Sequence, residues 1–102
     1  MALKDFSYNS FNATIALANQ ITRVFNGNIQ RVALIVAYNT AAGTGELSLG
    51  NGAVLSSWAR MPSPNTYSFS LRDYGPLIWE PLQIGNNAAN CTVTITEIIQ
   101  IH

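Results

Sequence analysis

The groups in this chain able to do chemistry are few and scattered. Histidine occurs once, as the terminal residue His102. A nucleophile system needs a firmly held imidazole, and a chain end is a poor place to hold one. No cysteine or carboxylate stands near His102 at metal-ligand spacing, so no zinc site is expected. The acids are Asp5, Glu46, Asp73, Glu80 and Glu97. Paired carboxylates could hydrolyse a glycosidic bond, but none of these sits in an evident motif. Cys91 is the only cysteine and lies between Asn90 and Thr92. No neighbouring base lowers its pKa, so it reads as a buried structural thiol, and no internal disulfide can form. Gly43-Thr44-Gly45 and Gly50-Asn51-Gly52 lack the strand-to-helix setting of a phosphate loop and read as turns. No catalytic residue, cofactor or metal is expected, and the chain does not read as an enzyme.

Aromatic side chains offer a different chemistry. Trp58, Tyr74 and Trp79 could stack against sugar rings, or fill core or interface area. Glu97 interrupts an otherwise apolar and Thr-rich segment. Two readings stand: an ion pair, for which Arg31 is the preferred partner, or exposure at a strand end.

Composition narrows the partners. The chain has 102 residues, of which 10% are charged and 48% hydrophobic, with a net charge of zero. Typical soluble domains carry about 25% charge. Lys4, Arg23, Arg31, Arg60 and Arg72 do not cluster, which argues against binding nucleic acid or anionic membranes. A surface so poor in charge repels copies of itself weakly. No segment reads as a signal peptide or a membrane span. Asn12-Ala13-Thr14 and Asn90-Cys91-Thr92 match the glycosylation sequon by chance.

The elements that must position these groups read as short strands. Asn12 to Ala18 and Ile21 to Phe25 come first, and Asn26-Gly27-Asn28 is a hairpin signal. Arg31 to Tyr38 reads as a central strand covered on both faces. Asn39 to Gly45 is a loop, Glu46 to Gly50 a short strand, and Asn51-Gly52 a second hairpin signal. Val54 to Met61 is a strand with Leu55 and Trp58 as core candidates, stopped by Pro62-Ser63-Pro64-Asn65. In Thr66 to Tyr74 the residues Tyr67, Phe69 and Leu71 share one face. Gly75-Pro76 turns the chain into a strand from Leu77 to Ile84, which Pro81 interrupts. Gly85 to Asn90 is a polar turn. Cys91 to Ile101 alternates until Ile98-Ile99, where the phase slips and a bulge or strand end is expected. Met1 to Phe11, with Phe6, Tyr8 and Phe11, reads as an arm that orders on a partner or as a loose terminus. The whole is an all-β chain: an antiparallel β-sandwich, jelly-roll-like, of about seven or eight short strands, over residues 12–102.

The layout resembles a known family. An Arg precedes an apolar strand ending in Asn (Arg31 to Asn39), and a Gly-flanked strand follows (Glu46 to Gly52). After a Pro-rich turn come Ile78-Trp79 ahead of Gly85, and a closing Val93-x-x-x-Glu97. This resembles the small β-sandwich proteins of tailed bacteriophage heads that act as decoration or cement proteins. The resemblance runs from about Ile21 to Glu97, and Pro81 departs from it. It implies a virion protein on the capsid surface, made in the host cytoplasm. It also implies binding to the major capsid protein, as a dimer or trimer, through an interface for which Phe6, Tyr8, Phe11, Trp58, Tyr74 and Trp79 are candidates. A tail, baseplate or fibre component and a carbohydrate-binding module are the alternatives.

Overall fold

Strict alternation makes the last strand the axis of the fold. In Cys91–Gln100 every odd-numbered residue is buried, from Cys91 through Val93, Ile95 and Glu97 to Ile99. The computed structural model describes residues 5–51 and 56–101. Its strands are β1 (Phe6–Ile15), β2 (Gln20–Phe25), β3 (Arg31–Thr40), β4 (Leu47–Asn51), β5 (Ser56–Met61), β6 (Thr66–Ser70), β7 (Leu82–Asn86) and β8 (Cys91–Gln100). They form two four-stranded antiparallel sheets in the orders β1-β8-β3-β6 and β2-β7-β4-β5. Successive strands from β1 to β4 alternate between the sheets, so the chain is a jelly roll. Leu34, Val36 and Ile95 of one sheet and Leu47, Leu49 and Ile84 of the other supply the centre of the core, all fully buried.

Several expectations give way to tertiary context. Phe6–Phe11 is not an arm: it begins a strand paired with β8 in unbroken register from Phe6↔Gln100 to Ile15↔Cys91. Pairing with a central strand satisfies backbone groups that the polar sequence alone gave no reason to order. Residues 1–4 and His102 lie outside the described residues, as do Gly52 of the second hairpin signal and Val54 and Leu55 of the expected strand Val54 to Met61. Leu17 is not in a strand but stands 66% exposed in the β1–β2 turn.

Asn26-Gly27-Asn28 makes no hairpin, because β2 and β3 belong to different sheets. Gly27 serves close approach instead: a Cβ there would meet the Trp79 carbonyl and Pro81 Cδ at 3.2 Å. β3 is central, but only its inner face is covered, and Ile35 on the other face is 37% exposed. The β8 phase does not slip. The irregularity lies on β3, where Val32 is the extra residue between the pairs Arg31↔Ile99 and Ala33↔Ile98.

The segment after β6 departs furthest from a strand reading. Ser70 caps a single helical turn, α1 (Leu71–Tyr74), by accepting the Asp73 N–H at 3.2 Å, and Gly75 at φ +61° ends it. A 3₁₀ turn follows over Gly75–Trp79 with Pro at its start. Strand β7 begins only at Leu82, after Pro81. Trp79 therefore lies on a helical turn, where no strand partner exists.

Candidate functional site

The sequence offers area rather than chemistry, and the geometry has two parts: a buried polar cluster that fixes one end of the sandwich, and an uncharged outer sheet face.

Bulge and register together build the cluster. Glu97 occupies an inward position of β8, and the extra residue on β3 turns Arg31 inward beside it. Arg31 is 1% exposed. Its Nε donates to Glu97 Oε2 at 2.7 Å, and Nη2 lies 2.7 Å from the same oxygen. Nη1 donates to the carbonyls of Ile78 and Glu80, each at 2.9 Å, and Nη2 to that of Asn26 at 2.6 Å. All five guanidinium N–H groups thus have acceptors, and the Phe25 ring lies beside the plane at 5.6 Å. Asn9 Nδ2 donates to the other Glu97 oxygen at 3.0 Å. The cluster ties β1, β3 and β8 to the β2–β3 connection and the 3₁₀ turn. A groove of about 560 Å³ opens above it between β1 and β2, lined in part by Asn9, Arg23, Asn28 and Glu97. Since Glu97 is already held by Arg31 and Asn9, this groove reads as the polar rim of a structural cluster.

The sheet containing β8 presents its other side outward. Register places the residues in rows: Tyr8, Ile98, Ala33 and Ser70; Ser10, Thr96, Ile35 and Ser68; Asn12, Thr94, Ala37 and Thr66; Thr14, Thr92 and Asn39. None carries a charge. Cross-strand polar pairs stiffen it: Thr94 Oγ1 donates to Asn12 Oδ1 at 2.7 Å, and the Ser10 and Thr96 hydroxyls are 3.3 Å apart. One end is apolar, with Phe6 and Tyr8 exposed beside Ile98. The opposite sheet differs, since Arg23 and Arg60 stand on its outer side. Arg60 approaches Glu46 at only 3.8 Å, a surface pair worth little.

The six aromatic candidates divide. Phe6 and Tyr8 lie on the exposed face, whereas Phe11 is half-buried against the core. Trp58 is the extra residue of a bulge in β5, which aims it inward. Its ring meets Phe69 at 5.9 Å and Tyr74 at 5.2 Å. Trp58 and Tyr74 therefore pack at the rim of the core rather than offering a flat stacking platform. Trp79 is half-buried, and its Nε1 is enclosed without a hydrogen-bond partner.

The remaining reactive groups are structural. Cys91 is 1% exposed, and burial pushes its thiol pKa up. The Tyr38 hydroxyl sits between the Met61 and Gly45 carbonyls at 2.7 and 3.0 Å. Burial, with the nearby Tyr67, pushes its pKa up to about 12. Among the described residues no three of His, Cys, Asp and Glu come together as metal ligands. No helix among them is long and apolar enough to cross a membrane. Sequence reasoning missed Asn86, buried in β7, whose Nδ2 donates to Leu17 O at 3.0 Å and Ala88 O at 2.8 Å. Its place in the apolar register of Leu82 and Ile84 was the available signal.

No protein-family model matches the sequence, and no curated protein matches it. Solved structures do share its fold. A subunit of Bacillus endospore appendages, described as a novel family of disulfide-linked pili, aligns with 99% of this chain and 93% of its own, at 12% identity and a TM-score of 0.57. The SPBc2 prophage-derived protein YomS aligns over 98% of this chain and 96% of its own, at 14% identity and a TM-score of 0.50. The Yersinia pseudotuberculosis-derived mitogen aligns over 91% and 85%, at 12% identity and 0.52. At these identities the likeness is one of fold.

Proposed function

We propose that this chain is a structural virion protein, a decoration protein that sits on a phage head and stabilises it by binding the major capsid protein. The observation that carries this reading is the uncharged outer face of the β1-β8-β3-β6 sheet. Strands spaced about 4.8 Å apart and rising about 3.4 Å per residue make this face roughly 570 Å². A standard interface takes about 800 Å² per partner, so the face and its rim are of the right size. Burying it desolvates hydroxyls, amides and methyl groups but no charge, and so avoids the main cost of association. Repetition over a shell turns modest contacts into durable ones.

Fold likeness to a prophage-derived protein and to a pilus subunit is in keeping with assembly into particles or fibres. Disulfide linkage of the kind named for the appendages is not open to Cys91, which is buried. A tail, baseplate or fibre location rests on the same surface, and copy number separates it from the head. The inward packing of Trp58 and Tyr74 disfavours the carbohydrate-binding alternative.

The test is co-sedimentation of the purified chain with shells of the parent phage, followed by electron microscopy of the particle. Regular density for this chain on the head lattice is the expected result. Its absence from the head, or a handful of copies at the tail, would overturn the head assignment.

A further inference from the structure

The two sheets end in four edge strands: β1 and β6 in one, β2 and β5 in the other. Natural sheets guard their edges with short strands, charges, prolines or bulges, because an open edge pairs with other strands. Three of the four edges here are guarded. β2 has six residues, carries Arg23 and is bulged at Val24. β5 has six residues, carries Arg60 and is bulged at Trp58. β6 has five residues, follows Pro62 and Pro64, and runs straight into α1.

β1 has none of these devices. It is ten residues long, FSYNSFNATI, without charge, proline or glycine, and its register with β8 is unbroken. Its residues are mostly exposed from Phe6 to Thr14. A strand this long and regular is a template for pairing.

We propose that β1 is a self-association seam: two copies of this chain pair antiparallel along β1 and fuse their outer sheets into one of eight strands. Three features favour a second copy as the occupant. The edge is self-complementary, since identical uncharged strands meet with no like charges opposed. Antiparallel pairing over nine residues supplies about eight to ten backbone hydrogen bonds, close to the number a typical interface carries. The two-fold axis must also stand perpendicular to the sheet, which keeps inward residues inward on both copies. Side chains alternate with period two, so only even registers qualify, with Ser10 or Phe11 on the axis. In either register the uncharged outer face continues across the seam and doubles in area. The seam does not depend on the capsid reading, though it would enlarge the face that reading uses.

Analytical ultracentrifugation of the full chain at about 100 µM tests it, with two lysine variants. Ser10→Lys sets like charges against each other at the seam, while Ile35→Lys charges the middle of the outer face away from any edge. Both sites are exposed, and thermal melts check that each variant folds. Asn12→Lys repeats the seam test without removing the Ser10–Thr96 contact. A dimer that Ser10→Lys and Asn12→Lys weaken at least tenfold, and that Ile35→Lys leaves intact, is the expected result. A monomeric wild type overturns the seam, as does a dimer that Ile35→Lys dissociates or that both seam variants leave intact. A monomer that still sediments with phage shells would overturn the seam while leaving the proposed function standing.

Discussion

Arg31 Nε and Glu97 Oε2 meet at 2.7 Å inside the sandwich, with the two side chains 1% and 8% exposed. Such a pair is a fixed requirement rather than a bonus, because each charge is tolerable only while the other is present. Glu97→Gln leaves a buried guanidinium without its counter-charge and should cost about 3–5 kcal/mol. Arg31→Met should cost a similar amount, while the double variant Arg31→Met with Glu97→Gln should lose much less than the two single losses added. Urea denaturation of the four proteins measures this as a double-mutant cycle. Additive losses would mean that the two charges are not coupled.

Tyr38 predicts the behaviour at high pH. Its hydroxyl is a buried donor with its pKa raised to about 12, against about 10 for an exposed tyrosine. A raised folded pKa means that the folded state holds the proton more tightly. The resulting stability is therefore fully present below pH 10 and is lost as pH rises from about 10 through 12. Burial raises the pKa of Cys91 as well, which adds to the loss in the same direction. Denaturation midpoints should fall over that window in the wild type and fall less in Tyr38→Phe. Equal slopes in the two proteins would remove Tyr38 as the cause.

Asn86 clips two turns together through Leu17 O and Ala88 O. Asn86→Ala leaves both carbonyls short of a donor and should cost about 1–3 kcal/mol. Hydrogen exchange should rise around residues 16–19 and 87–90 more than in β3 or β8. A uniform rise across the chain would show that Asn86 acts on the core as a whole.

Gly45 holds φ at +142°, and a Cβ there would come within 2.5 Å of Ala88 Cβ. Gly45→Ala therefore combines backbone strain with a clash and should destabilise by about 2 kcal/mol or more. Gly43→Ala is the control: its φ of +73° is also strained, but nothing lies within 4 Å of its Cβ. The melting temperature should fall further for Gly45→Ala. The reverse order would place the cost in the backbone alone.

Much of the core was legible in period-two alternation. Val93 and Ile95 against Thr92, Thr94 and Thr96 fixed the inward face of β8, and Leu47 and Leu49 did the same in β4. Arg31 and Glu97 stood out because a lone charge in an apolar strand needs a reason. The failures share a cause. Phe6–Phe11 and Leu71–Trp79 take their structure from partners far away in sequence. A polar strand gains its order from β8, about 90 positions along the chain, and a Ser70 cap with Pro76 and Gly75 shifts an aromatic run from strand to helical turns.

By itself the sequence determined an all-β chain of short strands with sparse charge and no clustered catalytic groups, because residue type and spacing act locally. Only the tertiary structure decided which strands share a sheet, which leaves β1 at an open edge, turns Trp58 inward, and gathers an uncharged face from four separate segments. Those outcomes depend on register between distant strands. A shift of one residue moves every side chain of a strand to the other face, and no local pattern records which neighbour sets that register.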